Sequence, residues 1–377
     1  MGEWDAYVDN SPAYYDTGGF FHGDVRIIEK RSRIFASVNG DLRYVNNSRI
    51  PHENRDGALL LIPSDKNSGL KVIQELGYKL NTIRWDAFNR LLDELAKPRY
   101  RVLTLRNVPT LTPDPNRVTV FIRHDVDRSL FGAHAMAWQE HLRELPATYF
   151  INLAAALYGL TAEKAQYCRR PGAVEDIIHL QSLGHEIGYH TDILIMALMY
   201  DIPMRPWLDQ EIGHLKEAGV RITSQAEHGS KYCSKIKAHN CYSYTDFRKN
   251  GSMQKLYKDY PNGFDGVVEY IRNGRKLAFP IPGIYLKDAG FTVSSYVITK
   301  QLPFTPKECD CFSDTSIKSS STAKELDDLF LNRIRAVQPG AVVQMLLHPC
   351  RWTTDDPACS LSIISPVTHQ EAMASQP

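Results

Sequence analysis

Apolar positions follow two rhythms along this chain. From Ile83 to Leu95 the residues Ile83, Trp85, Phe88, Leu91, Leu92 and Leu95 keep roughly helical spacing, which predicts a helix over 84–96 that Pro98 stops. A second helical pattern lies at 69–78. From Val118 onward short continuous apolar runs take over, at 118–126, 147–153, 185–191, 220–229 and 341–349, and these read as strands. Between them the pattern predicts helices over 133–145, 174–183, near 207–218 and over 323–337. Pro146 ends the first, Gly184 stands at a C-cap position after the second, and Gly219 ends the third. Weaker strand-like segments recur at 278–286 and 291–299, while 230–265 and 305–322 read as irregular. Strands alternating with helices argue for a mainly parallel sheet or barrel.

The chain before this body is different. Residues 1–66 are polar and aromatic, rich in Asn, Asp, Ser and Arg, with short strands expected over 24–45 around a hairpin turn at Asn39-Gly40. The pattern divides the chain into an N-terminal region (1–66, partly β), a helical lead-in (67–117), an α/β body (118–366) and a flexible tail (367–377).

The chain has 377 residues, 43% hydrophobic and 23% charged, which is ordinary globular composition and room for one large α/β domain with a small addition. A net charge of +1 gives no global basic field of the kind nucleic-acid binding needs. No apolar run approaches the length of a membrane span, and the first residues lack the basic segment and apolar core of a signal peptide. A soluble, cytoplasmic protein is expected. The seven cysteines form no paired CxxC sets, so they read as reduced thiols. Locally, Lys231, Lys235, Lys237, Arg248, Lys249, Lys255 and Lys258 make 230–265 basic. That is a solvated surface or, if functional, a hint of an anionic glycan.

The chemistry gathers where the strands end. The run at 118–126 leads into Arg123-His124-Asp125-Val126-Asp127. Strand side chains alternate, so Asp125 and Asp127 point to the same side, and two carboxylates there repel unless a cation or a shared proton lies between them. Other strands end on His190, on Glu227-His228-Gly229 and on His348-Pro349. In a parallel sheet or barrel these ends share one rim, where sites are built. Two Asp and three His converging there would make a metal site with a spare carboxylate. His124, just ahead of Asp125 and between the two faces of the site, reads as a packing or supporting residue, and His185, at its strand's other end, as structural.

These stretches, IRHDVD (122–127), ATYFI (147–151), GHEIGYHTD (184–192), AEHG (226–229) and LLHPCRW (346–352), resemble the polysaccharide deacetylase superfamily, the NodB-homology fold of carbohydrate esterase family 4. The resemblance is closest to a bacterial branch with a HisAspValAsp first motif, and it spans roughly 120–352. It implies a distorted (β/α)7 barrel, a divalent metal (most often zinc) and hydrolysis of an acetyl group from an amino sugar or glycan in surface-polysaccharide metabolism. Carried over by motif, Asp125 is the general base, Asp127 and His190 are metal ligands, and His348 is the general acid toward the leaving amine. Arg123, Asp192, Glu227 and Trp352 flank these positions and are expected to contact substrate.

The sequence departs from the family at three places. Leu194 stands where the second motif would supply another histidine, so His228 becomes the expected third ligand, ahead of Asp192 and Asp288. The segment 289–295, where a carboxylate partner of the late histidine would fall, holds none. The third motif, with its Arg and Pro, has no clear counterpart. Two other readings therefore stay open: an inactive member of the fold that binds glycan or a partner, and a hydrolase of a non-sugar C–N bond.

Overall fold

The computed structural model describes most of residues 82–353 in full, with the backbone alone of short strands between 13 and 61. Six such strands are seen: β1 (Ala13–Tyr14), β2 (Val25–Lys30), β3 (Arg33–Val38), β4 (Asp41–Asn47), β5 (His52–Arg55) and β6 (Ala58–Leu61). β1 to β4 form an antiparallel meander in that order, and β5 pairs with β6. Val38 pairs with Asp41, the register a two-residue hairpin connection at Asn39-Gly40 requires, although those two residues lie outside the described ones. The helix expected at 69–78 and the tail 367–377 also lie outside them.

Helix α1 (Thr82–Leu95) matches its periodicity. Trp85, Phe88, Leu91, Leu92 and Leu95 are buried, whereas Ile83, in the first turn, is 49% exposed and drops out of the apolar stripe. The lead-in is not purely helical. It goes on into β7 (Tyr100–Leu103), which pairs in parallel with the start of β8 (Val118–Val126), and a 3-10 segment (Leu105–Thr110) joins them.

The body is a parallel sheet curled like half a barrel. Its strands are β8, β9 (Thr148–Ile151), β12 (Glu186–Thr191), β13 (Ile222–Glu227), β16 (Val293–Ser294), β17 (Cys309–Ser313) and β18 (Val342–Leu347). They lie in the order β16-β13-β12-β9-β8-β18-β17, with β7 alongside the first half of β8, and every pairing is parallel. All nine residues of β8 are buried, as a central strand covered on both faces must be. Helices α2 (Leu130–His141), α3 (Ala173–Ser182), α4 (Ile193–Tyr200) and α5 (Met204–Glu217) make the crossovers on one flank, with a small hairpin of β10 (Gly159–Ala162) and β11 (Gln166–Arg169) before α3. Gly184 closes α3 at φ +93°, a conformation open to glycine and strained for other residues.

Three readings of the pattern are corrected. The segment 230–265 carries α6 (Lys231–Ile236), a 3-10 turn (Asn240–Ser243) and α7 (Thr245–Arg248), and leads to an antiparallel hairpin, β14 (Val267–Arg272) with β15 (Arg275–Pro280). The stretch 305–322 is not all loop, because β17 pairs along β18 within it. The last helix is broken at Phe330 into α8 (Ala323–Leu329) and α9 (Leu331–Ala336). A short helix α10 (Pro349–Thr353) follows β18, with Pro349 at its first position, where a missing N–H costs nothing. No helix among the described residues is long and apolar enough to cross a membrane.

The inner face of the half-barrel is layered. Leu105, Val108 and Leu111 pack against Phe121, Phe150, Ala226, Val293 and Val342 to plug the end where the strands begin. The buried carboxylate of Glu186 ties the plug in, accepting from the Arg106 N–H at 2.8 Å, Thr148 at 3.0 Å and Ser224 at 2.6 Å. Gly188 lies against this layer, and a Cβ there would fall 2.4 Å from the Phe150 ring. The other end of the strands is left for polar side chains.

Candidate metal centre

The alternation that puts Asp125 and Asp127 on one face puts Arg123 there too. Arg123 forks onto Asp125, Nε donating to Oδ1 at 2.7 Å and Nη2 to Oδ2 at 2.6 Å, and its guanidinium lies 5.3 Å from the centre of the Phe150 ring. Both partners are buried, so removing one would strand a charge. Burial alone would raise the Asp125 carboxyl, but Arg123, followed by His190 and His348, holds it below the ordinary range. Arg123, expected at substrate, is instead occupied with Asp125.

Asp127 stands just past β8, and three imidazoles surround it. Its Oδ1 is 3.0 Å from His190 Nε2 and 3.6 Å from His228 Nε2, and its Oδ2 is 3.8 Å from His348 Nε2. Each ring is held from behind by Nδ1. His190 Nδ1 is 2.9 Å from the Ala226 carbonyl, which can only accept, so Nδ1 carries the proton. His228 Nδ1 is 2.8 Å from Asp192, and His348 Nδ1 is 2.6 Å from Asp314. In the neutral rings the Nε2 atoms are thereby left as lone-pair donors aimed at a carboxylate. Lone pair facing lone pair repels, and the arrangement is stable only with a cation in the middle, a metal ion or a proton.

Asp127 Oδ1 is buried, with two imidazole nitrogens as its close polar neighbours, His190 Nε2 at 3.0 Å and His228 Nε2 at 3.6 Å. One ligand atom each from Asp127, His190 and His228 lie within 4.8 Å of one another, a set of N and O donors that suits a divalent metal with an open fourth position. Without metal the charge balance falls to protons. Burial would lower His228, but Asp192 and then Asp127 raise it to about 9. Burial would raise Asp127, but the imidazoles of His190, His228 and His348 hold it well below the usual carboxylate range. Burial would likewise lower His348, and Asp314, Asp125 and Asp127 outweigh it to favour the imidazolium.

Asp314 is the residue the sequence did not disclose. It follows β17 and is fully buried, with Oδ1 on His348 Nδ1, and Oδ2 accepting the His348 backbone N–H at 2.6 Å and the Trp352 indole N–H at 2.9 Å. The carboxylate sought in 289–295 comes instead from the next strand of the sheet. The signal was Cys309-Asp310-Cys311-Phe312-Ser313 ahead of an Asp, a strand too short and too polar in its alternation to stand out.

Two of the expected substrate contacts sit elsewhere. Trp352 is 1% exposed, its ring packed against Phe88 and Phe330 and its N–H spent on Asp314. Glu227 lies on the face of β13 opposite to Ala226 and His228, with Oε1 accepting from Gln225 at 2.8 Å. Burial there raises its carboxyl to about 7. The fourth, Asp192, is 3% exposed and supports His228. His124 is buried on the far side of β8, 2.7 Å from Glu140, and His185 is pinned by the Ala137 carbonyl and the Ala147 N–H, both consistent with supporting roles.

Comparisons of the chain with protein-family models, with curated proteins and with solved structures found no match.

Proposed function

We propose that this protein is a metal-dependent hydrolase that removes an acetyl group from an amino sugar or glycan, on a fold of the NodB-homology type. The observation that carries the reading is the set of three imidazoles, each fixed through Nδ1 so that Nε2 faces Asp127. Asp127, His190 and His228 would hold the ion, with zinc the best match to two imidazoles and one carboxylate. Bound there, zinc would supply Lewis acidity at the acyl oxygen and lower the pKa of a water molecule.

The chain's own residues divide the remaining work. Asp125, kept ionised and immobile by Arg123, takes the proton of the attacking water. His348, oriented by Asp314 and shifted by it toward the protonated form, returns a proton to the departing nitrogen as the C–N bond breaks. Two features that favoured an inactive member of the fold lose their force: His228 stands in for the histidine absent at Leu194, and Asp314 for the carboxylate absent from 289–295.

Metal analysis of the purified protein tests the reading, wild type beside Asp127→Ala and His190→Ala. Near-stoichiometric zinc that disappears in both variants is the expected result, followed by acetate release from N-acetylated amino-sugar oligomers. A wild type that takes up no metal after reconstitution would overturn it.

A further inference from the structure

The loop after β13 has a role that the ligand set alone does not explain. Asn240 sits at the start of the 3-10 turn, fully buried, and uses both ends of its amide. Its Oδ1 accepts from the Leu194 backbone N–H at 3.1 Å. Its Nδ2 donates to Asp192 Oδ1 at 2.9 Å, to the His228 carbonyl at 2.8 Å and, more loosely, to the Cys233 sulfur at 3.3 Å. Asp192 Oδ2 is thereby free for one partner, His228 Nδ1. The His228 backbone N–H is fixed independently by the Thr191 carbonyl at 2.8 Å.

From this geometry, and resting on the metal site proposed above, we infer that Asp192 and Asn240 form a positioning clamp that makes His228 a metal ligand through Nε2. The physical reason is tautomer control. A neutral imidazole on a mobile strand end can present either nitrogen and can rotate away. A carboxylate on Nδ1 fixes both the tautomer and the ring plane, and raises the basicity of Nε2. Asn240 does the same for Asp192, since an unrestrained carboxylate would turn toward water or bind the metal itself. Leu194 takes part in the clamp through its backbone. Its side chain is buried and inert, but its N–H holds Asn240, so the position that contributes no ligand still anchors the segment that orients one.

The test is zinc affinity, measured by competition with a chromophoric chelator, for wild type, Asp192→Asn, Asn240→Ala, His228→Ala and His348→Ala. Circular dichroism and thermal unfolding of each metal-free protein report on folding. Asp192→Asn and Asn240→Ala are expected to weaken zinc by about 10–100-fold, and His228→Ala by at least as much, with His348→Ala near wild type. Imidazole nitrogen NMR of the zinc-loaded protein gives a readout that a merely structural role would not move. The wild type is expected to show His228 metallated at Nε2 with a proton on Nδ1, and Asp192→Asn a loss of that single state.

The outcomes separate the two claims. Tight zinc binding by the wild type, lost in His228→Ala but undiminished in a folded Asp192→Asn with the same His228 tautomer, would overturn the clamp and leave the metal site standing. Wild-type protein without zinc affinity would overturn the site itself. Wild-type affinity in His228→Ala would overturn both the third ligand and its clamp.

Discussion

At the scale of single residues, the division between Asp127 and His348 is the sharpest consequence of the geometry. Both face the same centre, but His348 is 3.8 Å from the nearer Asp127 oxygen, and Asp314 behind it shifts the ring toward the protonated form. If His348 is a proton donor rather than a ligand, His348→Ala keeps its zinc and loses turnover by on the order of 10²–10⁴-fold. Asp314→Asn should do the same through orientation, again with metal retained. Elemental analysis beside steady-state kinetics checks this, and loss of metal in His348→Ala would make the residue a ligand. The candidate ligands Asp127, His190 and His228 were legible from the sequence because a His or Asp at a strand end is conspicuous. Glu227 and His228 show the limit of that reading. Adjacent residues on a strand point to opposite faces, so only one of the pair could face Asp127, and which one depends on where β13 enters the sheet. Asp314 was hidden for the opposite reason, since nothing local marks its strand.

At the scale of elements, the rim is held up by two kinds of packing. One is close approach. Gly188 on β12 faces the Phe150 ring of β9, and the added methyl of Gly188→Ala would meet it at 2.4 Å and Ser224 Oγ at 2.8 Å. The expected cost is about 1–3 kcal/mol of stability in urea unfolding, as for other overpacked cores, with His190 two residues along displaced as well. The other is the support under His348. Trp352→Phe keeps most of the packing against Phe88 and Phe330 but deletes the indole donor to Asp314. A loss of about 1 kcal/mol, typical of one hydrogen bond, is expected, together with a fall in kcat as His348 loosens. Unchanged kcat would mean that Asp314 is adequately held by the His348 backbone alone. Strands and crossovers with strong periodicity were readable: β8, β9, β12, β13, β18, α1, α3 and α5 lie close to where the pattern puts them. The missed β17 and β14, and β15, which begins three residues before the strand-like segment expected at 278–286, lie in polar or half-exposed stretches where neighbours, rather than local alternation, decide the structure.

At the scale of the whole molecule, the metal would act as a cross-link. Asp127, His190 and His228 are far apart in sequence and come from β8, β12 and β13, with β9 between the first two, so one ion ties together a wide arc of the rim. The opposite end of the sheet is closed without it, by Glu186 and the apolar plug of Leu105, Val108 and Phe121. Stability should therefore divide along the strand direction. Zinc at 100 times its dissociation constant should add about 2.7 kcal/mol to unfolding by mass action, and a chelator should remove it. The gain should shrink as the pH falls, because protons compete with the ion for the imidazoles and the carboxylate. Hydrogen exchange gives the spatial test. On metal removal, protection should fall at His190–Asp192, His228 and Asn240, where the backbone is tied to the ligands, and stay unchanged at Arg106 and Glu186, which the plug holds. A uniform loss of protection over both ends would mean that the ion supports the entire sheet, and no change at the rim would mean that the protons on the metal-free site hold the histidines as firmly as the metal does.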